Sequence, residues 1–414
     1  MRKKPPLSPY SFAKEVRDKV AALLLFFWVC TLPLFAAACT AVVPPVSVLT
    51  GTQLHSPAFV KWHGRAEYKA ADGGAVFFYH TASGFEVSFV GTKLEAALTT
   101  DNTDDPAEFA KIAVAVDGEA LPLEGRVFTL RQAVEKVTFA EGLPRGAHTL
   151  RALKRSEPED SANAVISIRT DGHFTAPPAA AAVKVACVGG SGISGHGSIG
   201  AAGQARTTDN SSSLHGFGYL TARMLGADVQ FVSASGWGLK YGYNQTAATR
   251  GTANLSAAFD TVGIGRDRQI IAARVDHAQF IPDIVIVNAG GNDYNSYING
   301  LSGAAQSAAI TAFQQEVAAF CTRLIALNPN VLILWTYTAN ARNGAAALAA
   351  INALPPALNA RILPTTIAQV GDYGDPVGAN NHASLQTHIR ISAALAAAIE
   401  SATPFRRVRE NITA

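Results

Sequence analysis

The chain has 414 residues, 48% hydrophobic and 16% charged, which is enough apolar material for two or three folded domains and excludes a disordered chain. Its formal net charge of +3 is concentrated at the N-terminus, where residues 1–38 hold six of the 34 Lys and Arg against only Glu15 and Asp18. The remaining 28 basic and 29 acidic residues nearly cancel, so the body lacks the basic footprint of a nucleic-acid binder.

Residues 1–41 read as an export segment. A basic stretch precedes the apolar run "VAALLLFFWVCTLPLFAAAC", and the small residues Ala36–Ala38 fit a cleavage site. Cys39 follows at once, as a lipidated cysteine would, although Ala36 stands where lipoprotein sites usually carry Leu. A cleaved signal, a lipoprotein anchor through Cys39 and an uncleaved anchor all stay open. Each places the body outside the cytoplasm, whether secreted, periplasmic or attached to a membrane.

After the linker "AVVPPVSVLTG", residues 52–176 alternate in short apolar runs such as "GAVFFYH", "GFEVSFVG" and "KIAVAVDG". Gly and Asp-Gly breaks between the runs are hairpin chemistry, and the pattern predicts an all-β sandwich. The Pro/Ala-rich "HFTAPPAAAAVK" then marks a boundary. From 183 to 403 the pattern changes to apolar strands at 183–188, 229–234, 283–289 and 331–337, with helical periodicity near 211–226, 304–327 and 384–400. Strands alternating with helices predict a parallel sheet covered on both faces, with functional residues at the strands' carboxyl ends. Cys187, in a strand, and Cys321, in a helix, read as buried thiols, with a disulfide between them left open. No C-x-x-C or histidine cluster calls for a metal, and no cofactor is expected.

The stretch "KVACVGGSGISGHG" contains G-x-G-x-x-G after a strand, the dinucleotide fingerprint. That reading needs a helix directly after the third glycine and an acid ending the next strand. A Gly/Ser/Thr-rich loop follows instead, and the next strand ends in "SASGWG". The alternative is that Ser191 is a nucleophile presented on a glycine turn, which requires a base and oxyanion donors elsewhere. The following strand ends supply Gly236 in "SASGWG" and Asn292 in "GGND". "ANNHAS" supplies His382 just before the last helix.

Ser, Gly, Asn and His in this order resemble the SGNH (GDSL-like) hydrolase superfamily. The blocks "WHGR", "FVGTKLEAAL", "GLPRGAHTLRALKRSE", "FIPDIVIVNAGGND" and "NHASLQTH" resemble carbohydrate esterase family 2. The resemblance implies a small jelly-roll-like sandwich ahead of a three-layer α/β/α, flavodoxin-like catalytic domain. It also implies an acetyl xylan esterase-like hydrolase that removes O-acetyl groups from a polysaccharide or oligosaccharide. Ser191 would be nucleophile and oxyanion donor, His382 the general base, and Gly236 and Asn292 the other oxyanion donors. His388, inside the last helix, is the rival base. Asp293 would hold its loop, and Trp62 and Arg65 would sit at the domain junction. Trp237 and Tyr294 would either face a sugar in the cleft or pack as core.

Two departures favour an alternative, a polysaccharide-binding protein with weakened catalysis. Gly190 replaces the family's Asp, which predicts a looser nucleophile turn. Asn380 stands where an acid often precedes the histidine, leaving Asn380 itself, Asp375 or Asp372 to orient the imidazole.

Overall fold

Alternation in the first region produces two antiparallel sheets that face each other. The computed structural model describes residues 45–119, 126–242 and 253–408, so the export segment and Cys39 lie outside the described residues. One sheet runs in the order Ala66–Lys69, Ala75–Phe78, Asn163–Thr170, Leu94–Thr100 and Val134–Ala140. Val48–Thr50 pairs with Asn163–Thr170, so the sandwich begins before residue 52. The other sheet runs His173–Thr175, Gly84–Gly91, Gly146–Lys154, Lys111–Val116 and Val127–Thr129, with Val60–His63 paired to Gly84–Gly91.

Period-2 patterning fills the space between the sheets: Leu94, Ala96 and Leu98 meet Phe85, Val87 and Phe89 in one core. Strand Lys111–Val116 is buried throughout because it serves two cores. Ile112, Val114 and Val116 point into the sandwich. Ala113 and Ala115 pack with Ala82 and Leu153 against the second domain, where small side chains let the layers approach.

In the second domain five parallel strands form the order β2-β1-β3-β4-β5. They are β1 (Lys184–Gly189), β2 (Asp228–Ser233), β3 (Ile284–Asn288), β4 (Leu332–Thr338) and β5 (Ile362–Ile367). Alternate residues go to opposite faces. Val185, Cys187, Ile284 and Ile286 pack against α1 (Phe217–Met224) and the last helix, α4 (Leu385–Ala402). Ala186, Val188, Val285 and Val287 pack against α2 (Gly303–Leu327) and α3 (Arg342–Asn352). Burial on both faces is why these strands read as continuous apolar runs. β5, "ILPTTI", was not expected from sequence, since its Pro and two Thr interrupt the apolar pattern. The strand order reverses between β1 and β3, which puts a crevice at their carboxyl ends. Cys187 and Cys321 are both free and buried. No helix among the described residues is long and apolar enough to cross a membrane.

The two domains are tied by polar contacts as well as by the alanine face. Arg65, 4% exposed, donates to Gln230 at 3.1 Å and to the carbonyls of Ala258 and Thr261. Trp62 stays within the sandwich, its indole N–H on Leu54 O at 2.8 Å.

Candidate active site

β1 ends at Gly189, Gly190 caps the turn that follows, and Ser191 opens that single helical turn, Ser191–Ser194. Close backbone approach explains the glycines. A Cβ on Gly189 would lie 2.3 Å from Asn288 O, and one on Gly190 would lie 2.7 Å from Asn292 Nδ2 and 3.0 Å from Trp237 O. Gly190 has φ −94°, so its backbone is ordinary and its role is to leave room. The turn after it is closed by backbone hydrogen bonds. Ser194 N donates to Gly190 O and His196 N to Ser191 O, both at 3.2 Å, and Gly195 at φ +70° closes the turn. The space that the side chain of an Asp at this position would fill is taken by the Asn292 amide.

Ser191 Oγ lies 2.8 Å from His382 Nε2, although the two are 191 positions apart. His382 Nδ1 lies 2.8 Å from Asn380 O. One tautomer satisfies both contacts, with Nδ1–H donating to the carbonyl and bare Nε2 accepting the serine hydroxyl. Burial pulls the His382 pKa below its ordinary value, and neighbouring His196 adds to this. The imidazole is therefore kept neutral and able to take a proton.

The orienting group is thus a backbone carbonyl. Asn380 and Asn381 both have positive φ, 50° and 56°, a conformation Asn tolerates better than most residues. The turn is clamped by Ala379 N on Gly197 O and Asn380 N on Gln204 O, each 2.9 Å. Neither nearby acid replaces the missing one. Asp375 is bound by Arg390 at 2.9 and 3.1 Å and by Thr387 at 3.3 Å. Asp372 accepts from Gln369 N at 2.7 Å. His388 is 1% exposed, accepts from Phe217 N at 3.2 Å, and is driven down to about 3 by burial. It is a packed residue of α4.

Gly236, after β2, has φ +79°, where a side chain is strained and glycine is not. Asn292, after β3, has its Nδ2 3.0 Å from Trp237 O. That carbonyl takes one amide hydrogen and fixes the side chain, leaving the second hydrogen for a ligand. Asp293 is fully buried and accepts from Leu239 N, Lys240 N and Tyr241 N at 2.7–2.8 Å, so it braces the loop behind Gly236. Burial pushes its carboxyl up to about 6 against those three donors. Ser191, Gly236, Asn292 and His382 line one cleft of about 860 Å³. Trp237 and Tyr294 border it but are 2% and 5% exposed, and Tyr294 packs edge-on against Phe313. Rings so covered offer no face to a sugar, so of the two alternatives open for them the structure favours core packing at the edge of the cleft.

Two neighbours escaped the sequence reading as site residues. His196, five residues after Ser191, has its ring centroid 4.3 Å from that of His382. Its Nδ1 lies 2.9 Å from Glu157, a carboxylate of the sandwich domain. Both stood inside stretches already singled out, but only the fold brings them together. No group of three or more His, Cys, Asp or Glu among the described residues is arranged to hold a metal ion.

The chain is similar to known proteins along most of its length. The family described as carbohydrate esterase 2 N-terminal matches residues 62–178, and GDSL-like lipase/acylhydrolase matches residues 185–379. A family two carbohydrate esterase from Clostridium thermocellum, solved with cellohexaose, is similar in fold. It has 20% identity and a TM-score of 0.69, over 83% of this chain and 98% of that one. An acetyl xylan esterase from Butyrivibrio proteoclasticus is similar at 19% identity and TM-score 0.70, over 86% of this chain and 99% of that one. The curated cellulase/esterase CelE of Acetivibrio thermocellus is 25% identical over 241 residues, 57% of this chain. The match spans only 27% of that relative's length.

Proposed function

We propose that this chain, whose two regions match the families described as carbohydrate esterase 2 N-terminal and GDSL-like lipase/acylhydrolase, is a carboxylic ester hydrolase that removes O-acetyl groups from a carbohydrate through an acyl-enzyme on Ser191. The observation that carries this is the 2.8 Å contact between Ser191 Oγ and His382 Nε2 at the floor of the cleft. His382 takes the hydroxyl proton as Oγ attacks the acetyl carbonyl. The developing oxyanion meets Ser191 N–H, Gly236 N–H and the free hydrogen of Asn292 Nδ2. His382 then returns the proton to the leaving sugar hydroxyl, and water, deprotonated by the same imidazole, releases acetate.

The similarity to esterases solved with cellohexaose or named for acetyl xylan supports a carbohydrate leaving group. Intact contacts from Ser191 to His382 to Asn380 favour a catalyst over a binding protein that has lost its chemistry. The basic and apolar N-terminal run supports export, with Cys39 as a candidate lipid attachment point.

Purified protein is expected to release acetate from acetylated oligosaccharides and from p-nitrophenyl acetate, and Ser191→Ala to release none above background. Binding of the glycan without acetate release would overturn the reading. Unchanged membrane fractionation and N-terminal mass in Cys39→Ser would remove the lipid anchor.

A further inference from the structure

The sandwich domain reaches into the active site through the turn "SEPED", residues 156–160. Glu157 is 1% exposed, and its N–H donates to Asp160 at 2.7 Å. Arg206 makes a forked contact to Asp160 and reaches Glu157 Oε1 at 3.4 Å. The Glu157 carboxylate is aimed at the second domain. Oε1 lies 2.9 Å from His196 Nδ1, and Oε2 accepts from Ser235 Oγ at 2.7 Å. On its other side His196 Nε2 lies 3.2 Å from Asn380 Nδ2.

One set of proton positions satisfies the whole chain. Ionised Glu157 only accepts, so His196 carries its proton on Nδ1. Nε2 is then bare and accepts from the Asn380 amide, which is held while its backbone carbonyl receives His382 Nδ1–H. His382 Nε2 is left to accept from Ser191. Burial would push the Glu157 carboxyl up, but His196, Arg206 and Ser235 together hold it well below the usual carboxylate range, so the acceptor end stays charged. The same carboxylate raises the proton affinity of His382, against the burial and the His196 ring that lower it.

We propose that Glu157, supplied by the β-sandwich, takes the place of the missing triad acid, acting through His196 to hold Asn380 and thereby orient His382. Glu157 and His196 are positioning residues for the ester hydrolysis described above, on which this assignment rests. The acid is displaced from the position before the histidine to a different domain. The sandwich is therefore a working part of the catalytic site as well as a flanking module. When His382 takes the Ser191 proton, its Nδ1–H stays on Asn380 O, and the Glu157 charge, relayed by an oriented imidazole and amide, favours the imidazolium.

The charged and titratable groups around this chain are Asp160 and Glu159 of the sandwich, and Arg206, Arg268, His382 and His388 of the second domain. Glu159 accepts from Ser235 N at 2.7 Å, and Arg268 donates to Ser235 O at 2.7 Å. These two hold Ser235 independently of Glu157.

The test compares Glu157→Gln, His196→Phe, His196→Gln and the double variant Glu157→Gln/His196→Phe with p-nitrophenyl acetate. Glu157→Gln and His196→Phe are each expected to lower kcat on the order of 100-fold, the usual scale for a misplaced catalytic group, with KM little changed. The double variant loses no more than the worse single, because the two residues act in series. His196→Gln recovers part of the loss, since its amide oxygen can accept from Asn380. In an NMR titration, His382 of Glu157→Gln takes up its proton at lower pH than in the wild type. A wild-type kcat in either single variant, losses that multiply in the double, or an unmoved His382 titration would overturn the proposal. If Glu157→Gln does not melt cooperatively, the contrast between His196→Phe and His196→Gln decides. If the wild type cleaves no acetate ester, the function proposed above fails, and the His382 titration still decides the role of Glu157.

Discussion

The two halves of the site are held in different ways. Ser191, Gly236 and Asn292 stand at the carboxyl ends of three adjacent parallel strands, so the register of one sheet brings them together. His382 stands on a loop outside the sheet, in a turn with two left-handed asparagines that is tied to residues 197–204 and, through His196, to the other domain. The sheet supplies a geometry that glycine keeps open. The loop has no such scaffold, and its position depends on contacts between segments far apart in sequence.

The comparison predicts how each half breaks. His382→Ala deletes the base outright and is expected to lower kcat on the order of 10⁴-fold or more in steady-state hydrolysis of p-nitrophenyl acetate. Loss of less than tenfold would mean that another group takes the proton. Asn292→Ala removes one donor from an otherwise intact sheet end and should cost roughly 10²–10³-fold in kcat with a small change in KM. A pure KM effect would move Asn292 from the oxyanion to the sugar.

Gly190→Asp restores the family's common residue and sharpens the contrast. Its backbone can accept a side chain, but a Cβ would sit 2.7 Å from Asn292 Nδ2. The amide must move, and kcat is expected to fall about tenfold, as for a partly misplaced donor. A rise in kcat would show that the turn is slack with glycine at this position.

The smallest effects belong to Asp375 and Asp372, the acids near His382 in sequence. Asp375→Ala should leave kcat within about twofold, because Asp375 is committed to Arg390 and Thr387. The acid limb of kcat/KM reports the base directly. Burial lowers the His382 pKa, so the imidazole stays unprotonated to lower pH and the limb should fall below 6.5 in both this variant and the wild type. A limb above 6.5 would require a stronger anionic partner than the Asn380 carbonyl and Glu157 provide.

How much of this was legible in the sequence follows the same division. β1 to β4 are continuous apolar runs, so their ends, and with them Ser191, Gly236 and Asn292, stood out in one dimension. His382 stood out because a histidine before the final helix completes the set. Pro364, Thr365 and Thr366 hid β5 by breaking the apolar run. The Glu157–His196 pair was hidden for another reason: the two residues are 39 positions apart, in different domains, and no local periodicity encodes a contact made only when the domains pack. Trp237 and Tyr294 stayed open between two readings because an aromatic next to a catalytic motif carries no mark of which way it faces. Here both turn into the core beneath the cleft.

The central claim is that Ser191 becomes acylated with His382 as its base. The most direct measurement is rapid acid quench of the enzyme during turnover of p-nitrophenyl acetate, followed by mass spectrometry of the peptide containing Ser191. The account predicts one acetyl group on Ser191, absent in Ser191→Ala and strongly reduced in His382→Ala. Turnover with no acetyl on Ser191 under conditions where deacylation is rate-limiting, or an acetyl found on another residue, would contradict it.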